Sequence, residues 1–80
     1  MKVRIFCTIP QDLIQRPLMF TLVDRFGVVP NIRGASVTET IALLSIDLEG
    51  DEEKVAAAMQ FLRDEGVQVE VQDEDEPASA

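Results

Sequence analysis

Apolar and polar residues alternate along residues 2–9, the first patterned segment of the chain. Its apolar side consists of Val3, Ile5, Cys7 and Ile9, and Phe6 is the one large apolar residue on the other side. A period of two predicts a β-strand with one buried face. Pro10 ends this strand, since proline has no N–H to donate to a strand ladder.

Two later segments carry the spacing of amphipathic helices. The first begins at Arg16 or Pro17 and ends at Phe26 before Gly27, with a loose turn over residues 11–14 preceding it. The second follows Asp51, a good N-cap residue, and ends before Gly66. The apolar stripes are Leu18, Met19, Leu22, Val23 and Phe26 in the first helix, and Val55, Ala58, Met59 and Leu62 in the second.

Three further segments have strand composition. Residues 28–37 are interrupted by Pro30 and Gly34, which predicts an irregular edge strand. Residues 41–48 begin with an apolar run on both faces, as expected of a central strand. Residues 67–71 alternate valine with polar residues and predict a last strand.

The resulting order is β-α-β-β-α-β, two split βαβ units. It predicts an α+β, ferredoxin-like sandwich with a four-stranded antiparallel sheet in the order 4-1-3-2. Right-handed crossovers place both helices on one face of that sheet. Residues 1–72 form the predicted domain, and residues 73–80 are expected to be a disordered acidic tail because they offer little to bury.

The sheet face opposite the helices carries a predicted interface. Strands one and three are central neighbours in this order, which puts Phe6 beside Ile41 or Leu43 on the uncovered face. An exposed apolar patch on a small domain usually marks an interface, and the small cores of such domains are often helped by dimerisation, so we expect a homodimer. The alternative is that Phe6 and Leu43 only cover each other.

Charge limits the class of partner. The chain has 7 Lys and Arg against 15 Asp and Glu, a net charge of −8, which disfavours nucleic acid as a partner. Lys2, Arg4 and Arg16 cluster near the N-terminus, as a solvated rim or as an anion site. No stretch is long and apolar enough for a membrane helix, and the N-terminus lacks the sustained apolar core of a signal peptide. We therefore expect a cytoplasmic protein.

The residues needed for catalysis or metal binding are missing. Cys7 is the only cysteine and the chain has no histidine, so a metal site, a cofactor and an activated nucleophile are not expected. The acidic runs at 51–53 and 64–65 are explained by a helix start and a helix end. We therefore expect that the protein is not an enzyme.

The segment 29–37 contains Asn31, an uncommon residue near the start of a strand. Its amide can both donate and accept hydrogen bonds. Either it forms an Asx-type turn that pins the chain after Gly27, or it contacts a ligand.

At this place the chain resembles the NIL domain family, which is named for an Asn-Ile-Leu signature in its second strand. The resemblance covers nearly all of residues 2–72. It includes the helix ending in Phe26-Gly27, Asn31-Ile32 with Ala35 three residues on, and the segments 44–51 and 61–71.

The resemblance implies regulation by ligand binding. In the methionine ABC importer a similar domain follows the ATPase, pairs with its twin and binds methionine to inhibit transport; other NIL domains precede iron–sulfur ferredoxin modules or stand alone. Asn31 matches the signature asparagine that contacts the amino acid, and Ile32 matches the core isoleucine. Arg33 replaces the signature leucine with a long cation, and a guanidinium can engage a ligand carboxylate.

Two function hypotheses follow. The first is a homodimeric sensor of a small amino acid, such as methionine, bound near Asn31, Ile32 and Arg33. The second is a ligand-free adaptor that docks onto another protein, such as a transporter or an iron–sulfur redox protein, through its open sheet face or edge strand.

Overall fold

The computed structural model describes residues 1–75, which form one sheet with helices packed on it. The strands are β1 (Lys2–Pro10), β2 (Val29–Val37), β3 (Ile41–Glu49) and β4 (Gln68–Asp75). The helices are α1 (Gln11–Ile14), α2 (Leu18–Phe26) and α3 (Glu52–Glu65). The short α1 occupies the segment predicted as a loose turn, and the other elements follow the predicted order.

The strands pair antiparallel in the order β2-β3-β1-β4. Read from the opposite edge, this is the predicted order 4-1-3-2. The α+β, ferredoxin-like architecture is therefore confirmed, with β1 and β3 in the centre and β2 and β4 at the edges.

The core lies between the helices and one face of the sheet. Alternate residues of β1 face it, as the period-two pattern predicts, and they meet the buried residues of β3, α2 and α3. The fully buried side chains at its centre include Ile5, Leu22, Ile46, Leu48, Val55 and Leu62. On β1 and β3 these buried residues alternate with residues whose side chains point away from the core. Those side chains lie on the other face of the sheet, which we call the open face.

Two glycines end the long helices. Gly27 follows α2 with φ of 65°, and Gly66 follows α3 with φ of 108°. L-residues with a side chain rarely adopt such angles, so glycine is the favoured residue at both helix ends. Asp51 is the N-cap of α3 as predicted, although its side chain makes no capping hydrogen bond.

Strand β4 is longer than predicted. It pairs with β1 as far as Asp75, which lies opposite Lys2. The predicted acidic tail of residues 73–80 thus overlaps a strand at 73–75, because the N-terminal half of β1 offers backbone partners to these residues. The rest of that tail, 76–80, lies outside the described residues.

Candidate functional site on the open face of the sheet

The open face has an apolar end. Phe6, Ile41 and Leu43 all lie there and all are half-buried within the single chain. Their strand positions alternate with the buried positions of β1 and β3, so the predicted face is correct for each of the three.

The predicted neighbours of Phe6 are wrong in register. Phe6 lies opposite Ser45 on β3 and Glu70 on β4, whereas Thr8 lies opposite Leu43 and Pro10 opposite Ile41. Phe6 is therefore diagonal to Leu43, a relation in which side chains about 7–8 Å apart still interact if one is aromatic. The prediction erred because strand patterns fix which face a residue lies on but not the register between strands.

The other end of the open face is charged and centres on Asp47. This residue is only 2% exposed, and it lies opposite Arg4 on β1 and Asn31 on β2. Arg4 donates from Nε to Oδ1 at 2.8 Å and from Nη2 to Oδ2 at 3.2 Å. Burying a carboxylate without partners is costly, and this two-point hydrogen bond offsets the cost.

The surroundings of Asp47 keep it ionised. The hydrogen bonds from Arg4 lower the pKa of the Asp47 carboxyl below its ordinary value, against an opposing effect of burial. The charges of Arg33 and Lys2 act in the same direction as Arg4. Lys2 also lies 4.0 Å from Glu49 at the neighbouring position of this face.

Arg33 is the extra residue of a β-bulge in β2. The pairing of β2 with β3 shifts between Ile32 and Gly34, so Arg33 has no residue opposite it. Its Nε lies 3.8 Å from Oδ2 of Asp47, which brings its guanidinium to the charged end of the open face. Bulges often redirect a side chain beside a binding site.

The predicted ligand-binding residues are divided by the sheet. Asn31 and the guanidinium of Arg33 lie on the open face, beside Asp47. Ile32 pairs with the buried Ile46, so it belongs to the helix side of β2, where it is 57% exposed. The structure thus brings Asn31 and Arg33 together and leaves Ile32 apart.

Comparison with known proteins assigns the chain to a family. The family model of the NIL domain matches residues 3–71. The chain belongs to the NIL domain family. The matched region runs from the start of β1 to the middle of β4. No curated protein sequence matches the chain.

Two solved structures share the architecture of this NIL domain. One is the C-terminal domain of an ABC transporter ATP-binding protein from Enterococcus faecalis, with a TM-score of 0.77, 21% identity, and coverage of 91% of this chain and 86% of that chain. The other is the de novo designed protein Foldit4, with a TM-score of 0.56, 14% identity, and coverage of 92% and 97%. At these identities the likeness shows the fold alone.

Arg4 and Asp47 belong to the candidate site but are not predicted as site residues by the sequence. Asp47 lies in the segment predicted as a central strand, and Arg4 lies in the N-terminal cluster predicted as a solvated rim or an anion site. The available signal was a pair of opposite charges at facing positions of two central strands. This pair can be recognised only when the register between the strands is known, and the register places Arg4 opposite Asp47.

Other chemistry is sparse in the part of the NIL domain that the structure describes. Cys7 is buried, and burial raises the pKa of its thiol to about 11. Residues 1–75 contain no group of three His, Cys, Asp or Glu side chains placed to hold a metal ion, and no helix among them is long and apolar enough to cross a membrane.

A separate cavity of about 130 Å³ lies on the helix side, between α3 and the strands β1 and β4. Its walls are mostly apolar: Met1, Val3, Glu52, Val55, Ala56, Met59 and Val71. None of the predicted site residues lines this cavity, because they lie on the open face or on the edge strand β2.

Proposed function

We propose that this NIL domain is a non-catalytic regulatory module that binds a small amino acid on its open face and pairs through that face with a second copy. One observation carries the proposal. The open face joins an apolar end, around Phe6 and Leu43, to a polar end that holds Asn31 and Arg33. Interfaces and ligand sites combine apolar area with a few placed polar groups in this way.

Pairing is supported by the apolar end. Phe6, Ile41 and Leu43 are half-buried, so each keeps apolar surface in contact with water. Covering such surface contributes about 25 cal/mol per Å². A domain of 80 residues has a small core, so this contribution is large relative to its stability.

Ligand binding is supported by the polar end. Asn31 is exposed, and its amide matches the ammonium and carboxylate groups of an amino acid because it accepts at oxygen and donates at nitrogen. The resemblance to the importer domain makes methionine the first amino acid to test.

The absence of catalysis is part of the proposal. The sequence has no histidine, and its one thiol is buried with a raised pKa. Thiol nucleophiles in enzymes have lowered pKa values and are accessible. Regulation through binding needs neither property.

Melting temperatures measured with each of the twenty amino acids at millimolar concentration test the ligand. At least one is expected to raise the melting temperature, since a ligand that binds only the folded state stabilises it. The increase is expected to disappear in Asn31→Ala. An unchanged melting temperature with all twenty would refute the sensor.

Sedimentation equilibrium tests the pairing. The wild-type chain is expected to be a dimer and Phe6→Asp a monomer. Phe20→Asp is the matched control, because Phe20 is 65% exposed on α2, away from the open face. A monomeric wild type, or a dimer that Phe6→Asp leaves intact, contradicts the proposed interface.

A second function is favoured by the edge strand β2. Val29, Ile32 and Val37 on this strand are 50%, 57% and 65% exposed, and an exposed apolar edge suits docking onto another protein. In this alternative the module is a ligand-free adaptor for a transporter ATPase or an iron–sulfur redox protein. Ile32→Lys with Val37→Lys is then expected to abolish binding to that partner, while Phe6→Asp leaves it unchanged.

A further inference from the structure

Arg33 holds hydrogen-bond donors that no residue of the described chain uses. Its nearest charged partner is Oδ2 of Asp47, and the 3.8 Å separation from Nε is too long for a hydrogen bond. Both Asp47 oxygens already accept from Arg4. A guanidinium has five N–H donors, and this one is 57% exposed at the side chain.

The space beside Arg33 is open. Gly34 follows Arg33 and lies opposite Ser45, which places it on the open face. Apart from its two chain neighbours, a Cβ built on Gly34 would meet no heavy atom within 4 Å. The bulge therefore places the guanidinium of Arg33 and the amide of Asn31 beside Gly34, where no side chain covers the backbone.

The neutral amide of Asn31 and the cationic guanidinium of Arg33 suit different groups of a ligand, and this difference indicates the class of ligand. The amide of Asn31 can serve the ammonium and carboxylate groups that every amino acid has, which leaves Arg33 for a further negative group. An arginine fork matches the two oxygens of a carboxylate. An apolar ligand side chain laid over Arg33 would instead remove water from the N–H donors that Asp47 does not engage, without giving them a hydrogen-bond partner, which is unfavourable.

We propose that Arg33 makes the site selective for an acidic amino acid, whose side-chain carboxylate it binds. This inference rests on the proposed function, because it assumes that the open face binds an amino acid at Asn31. It adds the class of ligand and the residue that sets the selectivity.

Titration calorimetry of the full chain at low ionic strength tests the selectivity, with L-glutamate, L-aspartate, L-glutamine and L-methionine as the ligands. Glutamate or aspartate is expected to bind the wild type about 10-fold or more tightly than glutamine, the neutral match, and methionine, since charge-assisted hydrogen bonds contribute differences of this size. Arg33→Leu is expected to remove that preference.

Lys54→Leu is the matched control, because it removes the same charge from an exposed position on α3. Its affinities are expected to equal those of the wild type. Gly34→Val is expected to weaken all four ligands, since its side chain would occupy the open stretch beside Arg33.

The outcomes separate this inference from the proposed function. Equal binding of glutamate and glutamine, or a preference that survives in Arg33→Leu, overturns the selectivity. If methionine binds best and its binding depends on Asn31 but not on Arg33, the sensor stands and the acidic ligand is wrong. If none of the twenty amino acids binds, both are wrong.

Discussion

Arg4 on β1 and Asp47 on β3 lie opposite each other and are joined by two hydrogen bonds on the open face of the sheet. Asp47 is almost fully buried there, although the adjacent residues of β2 on this face are exposed to solvent. The pair links the two central strands and supports the charged end of the candidate site, because Arg33 approaches the same carboxylate.

Replacement of this carboxylate is expected to cost stability in a pH-dependent way. Asp47→Asn should lower the free energy of unfolding at pH 7 by about 1.5–3 kcal/mol, the range for hydrogen bonds to charged groups. The pKa of Asp47 is lowered in the folded state, so its contribution is present above the unfolded value of about 3.9 and is lost as the pH falls through the folded value.

Urea unfolding from pH 7 to pH 2 measures this difference. The advantage of the wild type over Asp47→Asn should stay constant down to about pH 4 and shrink below it. Asp24→Asn, at an exposed position of α2, is the control and should be nearly neutral. An advantage that does not change with pH would show that Asp47 acts through packing and not through its charge.

The thiol of Cys7 is expected to be unreactive in the folded protein. It is buried, and with a pKa raised to about 11 almost none of it is thiolate at pH 8. Labelling with a chromogenic disulfide reagent at pH 8 should be slow in buffer and complete within minutes in 8 M urea (roughly the upper end of a denaturant titration). Fast labelling of the folded chain would mean that β1 opens readily.

Two neighbouring residues of α2 test how the helix packs. Leu22 is fully buried and Val23 is 49% exposed. Leu22→Ala should destabilise the fold by about 2–5 kcal/mol, since it leaves a cavity in the core. Val23→Ala should cost about 1 kcal/mol or less. Equal costs, measured by chemical unfolding, would contradict the orientation of α2.

Two glycines that differ in backbone angle test the helix end. Gly27 has φ of 65°, whereas Gly34 does not have a left-handed φ, and neither would bring a Cβ within 4 Å of another atom. Gly27→Ala should therefore cost about 1–2 kcal/mol through the backbone alone. Gly34→Ala should be close to neutral, and a comparable cost for both would contradict this explanation.

Most of the fold could be predicted from local patterns. The alternation in β1, the glycines at 27 and 66 and the interrupted composition of β2 each reflect a constraint that acts within a few residues. Strand order followed from the handedness of crossovers, which is general. The end of β4 was missed because its last residues are acidic, and their strand pairing depends on the backbone of β1 rather than on their own composition.

Less of the candidate site than of the fold could be predicted from local sequence patterns. Asn31 and Arg33 stood out as residue types, but the side of the sheet on which Arg33 acts depends on a bulge, and the burial of Asp47 depends on the register with Arg4. Both are relations between strands distant in sequence. A single-residue change of register inverts the faces, so patterns within one strand cannot determine them.

Because of the bulge in β2, selection for folding and selection for ligand binding act differently on position 33. Position 33 is an extra residue on an edge strand, without an opposing residue and without a place in the core. A library randomised at this position should pass a screen for folded protein with most side chains except acidic ones, which would lie beside the Asp47 carboxylate. On the proposed function, a screen for the ligand would then tell the folded members apart, and a substitution at position 33 would change the ligand without changing the scaffold.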